Sequence, residues 1–151
     1  MTTQEKGDTE ADIRVIHKTD GFKAVDLGGE NLSHYSHKKL MEGMGPAPWM
    51  KRIIYTKDYS GHLLCQTPGT GNRTHCHAED DEWWVVLKGV IKWWIQDEGV
   101  ITAERGDVVF VPKGRMHKIR TIGEEDSLRL AICIPDIPHF HPDEDPAPKD
   151  F

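Results

Sequence analysis

The sequence predicts an all-β protein, a sandwich or barrel of antiparallel strands, and three observations carry that reading. From Pro46 onward the chain is cut into short apolar runs by Gly, Pro and Asp at intervals of about ten residues. None of those runs approaches the ~18 apolar residues of a membrane span. Inside the same region one stretch framed by Gly69 and Gly89, GTGNRTHCHAEDDEWWVVLKG, gathers His75, His77 and Glu82.

Taken in order, residues 1–12 are polar and charged without periodicity and are expected as a disordered tail. Residues 13–134 form the expected single domain, and a short strand is read in IRVIHK. Gly28 and Gly29 break that pattern. The following GENLSHYSHKKLMEG reads as a brief helix, with Asn31 or Ser33 as its cap and Gly43 as its stop. His34 and His37 lie three apart on it, with no carboxylate or third ligand in the local pattern, and read as surface or packing residues.

Strands are expected over residues 49–56, 62–66, 73–77, 82–87, 90–96, 99–103, 107–111, 117–122 and 127–134. Residues 58–61 make one turn, and Lys88 with Gly89 makes a tight hairpin turn. That hairpin would set Leu87 opposite Val90, Val86 opposite Ile91 and Trp84 opposite Trp93. With Glu82 inward, Trp84, Val86, Ile91, Trp93 and Ile95 then line an apolar, aromatic interior. Trp83, Trp94 and Lys92 face outward, where two exposed tryptophans call for a second sheet or another subunit, and a homodimer is the expectation. After Ile134 come five of the nine prolines and an acidic cluster, so 135–151 reads as an extended Pro-rich acidic tail. Its own pair, His139 and His141, has no glycine-bounded strand or placed Glu around it and is given no role beyond covering the barrel mouth.

The charge balance, 25 acidic against 19 basic residues for a net charge of -6, makes nucleic acid and anionic membranes unexpected partners. Residues 1–13 lack the basic start and apolar stretch of a secretory signal, and the 3 cysteines fit no disulfide framework. A reducing, cytoplasmic setting is the expectation.

In an extended strand His75 and His77 project to one face together with Arg73, while Cys76 turns away and reads as a structural thiol. Two imidazoles cannot close a metal site, and His117 in GDVVFVPKGRMH is the candidate third ligand. Gly69, five residues, His75, one residue, His77, four residues, Glu82, six residues, Gly89 is the first segment. Gly106, five residues, Pro112, one residue, Gly114, two residues, His117, three residues, Thr121 is the second. These resemble the two signature motifs of the cupin superfamily, with one departure: Thr121 stands where that family often has Asn, at a position that is not a ligand.

The resemblance implies a double-stranded β-helix barrel, a jelly roll, holding one divalent metal through His75, His77, Glu82 and His117. Three neutral imidazoles and one carboxylate leave a divalent ion a residual charge of about +1 and an octahedral ion two open positions. A structural zinc would more often be closed by thiolates. A cation in an apolar barrel favours a small anionic or chelating substrate, with Arg73, Trp84 and Trp93 as its expected contacts. Arg120 and Arg129 alternate with apolar neighbours, a pattern that sets them toward solvent.

Iron(II) is the first expected metal, with Mn, Ni or Zn as alternatives, and an oxygen-using dioxygenase is the first expected activity. HCHAEDDEWWVVLKG is similar to the equivalent stretch of 3-hydroxyanthranilate-type dioxygenases. The same ligands also serve redox-neutral isomerases, lyases and decarboxylases, for which Tyr55, Tyr59 and His62 are the candidate bases. A ligand-binding module without catalysis is the third reading.

Overall fold

Along the chain the elements run β1 (Thr2–Glu5), α1 (His37–Met44), β2 (Trp49–Tyr55), β3 (Ser60–Gln66), β4 (Glu82–Lys88), β5 (Val90–Ile95), β6 (Gly99–Glu104), β7 (Val108–Val111), β8 (His117–Ile122), β9 (Ser127–Cys133) and β10 (His139–Pro142). They belong to a computed structural model that describes residues 2–5 and 29–151. A five-stranded antiparallel sheet has the order β2-β3-β9-β4-β7, a three-stranded one the order β6-β5-β8, and β1 pairs with β10. The two larger sheets face each other as a jelly roll, the architecture expected from the sequence. The tail expected over 1–12 and the strand expected in 13–18 lie outside the described residues, except that 2–5 form β1.

Strand alternation sorts the interior as the sequence predicts. Trp84, Val86, Ile91, Trp93 and Ile95 are buried in one core cluster, while Trp83 is exposed and Lys92 and Trp94 are half-buried. The hairpin that was expected to produce this sorting does not exist. Strand β4 pairs with β7 and β9, and β5 with β6 and β8, so the chain changes sheet at Gly89. Gly89 takes φ 73°, and a Cβ there would lie 2.9 Å from the Ser127 Cα, so only glycine makes the crossing without strain. Trp84 and Trp93 still meet, their ring centroids 5.8 Å apart, but across the interior rather than as cross-strand neighbours. Alternation is a local property of an extended chain and survives a wrong partner assignment.

The helix starts later than its expected caps. Ser36 accepts a hydrogen bond from the Lys39 N–H at 3.4 Å, and the chain leaves the helix at Gly45, φ 74°, whose N–H reaches the Met41 carbonyl at 3.2 Å. Asn31 serves β2 instead, its side chain bonding both the N–H and the carbonyl of Tyr55 at 2.8 Å. Leu40, Met41 and Met44, spaced to share one helical face, pack on Trp49, Ile53, Leu63, Cys65 and Leu128. This cover on the outer face of the large sheet has a consequence for the site. Every residue of β3 is buried, so its two faces bound two different interiors.

Segment 135–151, expected as an extended tail, is packed. Its backbone bridges Cys76 through Phe140, Asp145 binds Thr74 Oγ1 and Lys118 Nζ at 2.6 Å each, and Phe151 is buried under Lys92, whose Nζ lies 4.6 Å from the ring centroid. A ring face surrounded by Lys92, Lys118 and Arg120 gains from cation–π attraction, which ties the segment to the small sheet.

Candidate metal centre

His75 and His77 lie on the connection between β3 and β4. No sheet strand forms over 73–77 as expected; the backbone is held instead by two bridges facing opposite ways, His75 to His117 and Cys76 to Phe140. The His75 N–H donates to the His117 carbonyl at 3.0 Å and the His117 N–H returns to the His75 carbonyl at 2.8 Å. The chain is therefore extended locally, which gives the two imidazoles the common direction that the spacing implies. Glu82 enters from the first position of β4 and His117 from the first position of β8.

All four side chains are buried, and one donor atom from each lies within 4.8 Å of the others. The imidazoles are aimed by main-chain carbonyls: His75 Nδ1 lies 2.7 Å from the Arg73 oxygen, His77 Nδ1 2.8 Å from that of Pro138, and His117 Nδ1 3.1 Å from that of Arg115. A carbonyl can only accept, so each Nδ1 carries the hydrogen and each Nε2 of a neutral ring presents a lone pair. His77 Nε2 is 2.8 Å from Glu82 Oε2, and His117 Nε2 is 3.7 Å from the same oxygen. Two acceptors at 2.8 Å repel unless a proton or a cation joins them. His117 Nε2 is buried with no hydrogen-bond partner, a loss of about 1–3 kcal/mol that a cation removes. The donor set fits a divalent metal ion.

Protonation favours the same occupant. Burial, then the neighbouring imidazoles, push His75 well below its ordinary value. Burial and His77 bring His117 down to about 4. Burial alone would raise the Glu82 carboxyl, but His77 and His117 outweigh it and hold it below its usual range. Neutral His75 and His117 beside an ionised Glu82 are in the forms that bind metal.

A pH dependence follows. A histidine at about 4 in the fold and 6.5 in the unfolded chain binds its proton more readily when unfolded, so its contribution is complete above 6.5 and is lost as pH falls toward 4. His139, brought down to about 3 by burial first, acts in the same direction. The metal-free protein is expected to lose up to about 1.4 kcal/mol per pH unit for each such histidine between pH 6 and 4. Urea midpoints measured across that range check it; a midpoint constant from pH 7 to 4 contradicts it.

Beside the four donors lies a cavity of about 30 Å³, room for about two waters. Of the expected contacts and bases, Trp84 and His62 line it. The others lie elsewhere. Arg73 is exposed, its Nη2 3.2 Å from His141 Nε2, and Trp93 is fully buried in the core behind Trp84. Tyr55 donates its hydroxyl to Asp136 Oδ2 at 2.8 Å, an interaction that raises the phenol further, and Tyr59 is exposed.

Two of the lining residues were discounted by the sequence reading. His139, discounted for its prolines, sits on the wall with its ring centroid 4.7 Å from that of His77 and 4.9 Å from that of His75. Nothing local to PHFHP signals this, because β10 reaches the site only by pairing with Cys76 and β1. Arg129, set toward solvent by the sequence reading, is fully buried and points to the cavity. Here a signal existed: Ser127, Arg129, Ala131 and Cys133 share one face of β9 and Leu128, Leu130 and Ile132 the other. With α1 covering the apolar face, the polar face is the inner one.

Residues 62–135 match a family model described as Cupin domain. No curated protein matches the chain significantly. Among solved structures the chain is similar to an uncharacterized conserved protein with a double-stranded β-helix domain from Klebsiella pneumoniae, at 20% identity and TM-score 0.59 over 74% of this chain and 93% of that one. It is similar to the DMSP lyase DddQ of Ruegeria pomeroyi, at 19% identity and TM-score 0.52 over 59% of this chain and 49% of that one. It also resembles oxalate decarboxylase of Lactobacillus farciminis, at 23% identity and TM-score 0.51 over 54% of this chain and 26% of that one. At these identities the likeness establishes the fold alone.

Proposed function

We propose that this chain is a cupin, on the match of residues 62–135 to the Cupin domain model, and that it is a metal-dependent enzyme acting on a small anionic or chelating organic substrate. The observation that carries the proposal is the convergence of four buried donors, His75, His77, Glu82 and His117, with the histidines aimed inward by backbone carbonyls. A domain that served only as a scaffold would have no need of such an arrangement. Iron(II) supplies activation of molecular oxygen at a centre of this kind, whereas zinc, manganese or nickel supplies Lewis-acid polarisation. Glu82 offsets part of the ionic charge, and Trp84 and Ile119 make the apolar wall that keeps water from the reacting groups.

An iron(II)-dependent dioxygenase is the first reading, supported by the donor set and by the local likeness of residues 75–89 to 3-hydroxyanthranilate-type dioxygenases. A redox-neutral isomerase, lyase or decarboxylase is the second, favoured by one observation. His139 Nδ1 is buried beside the donors without a hydrogen-bond partner, on the wall of the cavity where a proton must be taken or returned. Two of the similar structures are by name a lyase and a decarboxylase. His62, on the same wall, is a further proton-handling candidate.

Metal analysis of protein purified without added metal, followed by oxygen-uptake assays on catechols, thiols and small carboxylates, separates these readings. Iron with substrate-dependent oxygen uptake supports the first, and turnover under anaerobic conditions with Mn, Ni or Zn supports the second. Ligand-induced stabilisation without turnover under either condition refutes both and leaves a binding protein. The proposal extends to a homodimer, supported by the exposed Trp83, Val108 and Phe110 on neighbouring strands β4 and β7. Sedimentation of a single 17.2 kDa species at micromolar concentration would count against the dimer.

A further inference from the structure

We propose that segment 135–151 is a positioning element of the metal centre: it aims His77 and holds the connection that carries two of the donors, so that metal binding and docking of this segment strengthen each other. This rests on the metal-centre reading above and adds to it the residues that keep the donors in register. The three imidazoles are aimed by carbonyls of two different kinds. The Arg73 and Arg115 oxygens lie two residues from His75 and His117, so local backbone sets those rings. The oxygen that aims His77 belongs to Pro138, 61 residues further along the chain, and is in place only while the C-terminal segment is docked.

The backbone of the connection divides in the same way. One edge is bonded to β8 through His75 and His117. On the other, the Phe140 N–H donates to the Cys76 carbonyl and the Cys76 N–H to the Phe140 carbonyl, both at 3.0 Å, while His141 Nδ1 donates to the Thr74 carbonyl at 3.0 Å. Donors on such a connection stay aligned while both edges are held. The groups that dock the segment are not themselves donors. Tyr55 fixes its start through Asp136, and Ile137, 1% exposed, lies on the cavity wall. Further along, Asp145 receives Thr74 Oγ1 and Lys118 Nζ at 2.6 Å each and the Ala147 N–H at 3.0 Å, and the Phe151 ring is buried against Lys92. Linkage makes the coupling reciprocal: a docked segment raises metal affinity by orienting His77, and a bound metal stabilises the docked segment by the same factor.

Amide hydrogen exchange of the wild-type protein with and without zinc tests this, with zinc content measured on the same samples. The reporters are the Phe140 N–H, bonded to Cys76, and the Ala147 N–H, bonded to Asp145; the reference is the Gly45 N–H, bonded to Met41 at the end of α1. Zinc is expected to slow both reporters at least about tenfold and Gly45 by less than about twofold. The variant carrying Asp145→Ala and Phe151→Ala together is expected to fold and, in chelator competition, to bind zinc at least about tenfold more weakly. Leu40→Ala, which removes packing from the outer face of the large sheet, is expected to keep wild-type zinc affinity. Equal slowing of Ala147 and Gly45 is a global stabilisation and overturns the proposal, as does equal weakening of zinc binding by Leu40→Ala, or wild-type affinity in the double variant. Should that variant fail to fold, the wild-type exchange rates decide alone. One zinc per chain with an Ala147 rate untouched by it removes this proposal and leaves the metal reading standing; wild-type protein that takes up no zinc removes both.

Discussion

His75→Ala and His117→Ala are each expected to lose the metal, retaining less than about a tenth of the wild-type content after gel filtration. Disturbing only a group that orients a ligating histidine costs 10–100-fold in metal affinity, so removing a ligand should cost more than about 100-fold. The two replacements strike different parts of the fold, the connection before β4 and the start of β8, which are joined by their reciprocal backbone bonds at 3.0 and 2.8 Å. His139→Ala is the control: His139 faces His75 and His77 but is not among the four converging donors, and its loss should leave one metal per chain. Metal measured by plasma emission on the three proteins decides it. Full occupancy in both His75→Ala and His117→Ala would falsify the assignment, and a loss confined to His139→Ala would move the centre.

Gly71→Ala is expected to destabilise the fold by at least about 3 kcal/mol, the upper end of what overpacking costs. A Cβ at Gly71 would lie 1.8 Å from the Ile119 carbonyl oxygen, 2.6 Å from its carbon and 2.7 Å from the Arg120 Cα. All three are backbone atoms of β8, whose other residues are bonded across to β5, so no side chain can rotate away. Either the connection carrying His75 and His77 lifts or β8 moves, and both disturb the spacing of the donors. Gly69→Ala provides the contrast. A Cβ there meets nothing within 4 Å, and only the φ of 83° is strained, at about 1–2 kcal/mol. Urea unfolding of the two variants beside the wild type checks both; a Gly71→Ala midpoint as high as that of Gly69→Ala would contradict the close approach.

The site was legible because its chemistry is written in local spacing. One residue between His75 and His77 puts both on one face of any extended segment, and this held although no sheet strand forms at 73–77. Inward and outward positions on β4 and β5 were legible for the same reason, although the hairpin meant to join them is replaced by a change of sheet at Gly89. Arg73 was misplaced by the same logic carried one step too far. It lies before the bridged residues and turns toward His141 in the C-terminal segment.

Sequence alone determined which residue types alternate along each strand and which donors are spaced for a metal, since both follow from backbone geometry within a few residues. Only the tertiary structure decided which face of a strand is the inside. Arg129 and His62 point inward because α1 buries the apolar face of β3 and β9, and that cover comes from a helix about twenty to ninety residues away. His139 reaches the centre because β10 pairs back on Cys76, a contact 64 residues distant that no periodicity in its own segment encodes. Inside and outside are properties of what packs on each side of a strand, and the packing partner is set by the whole chain.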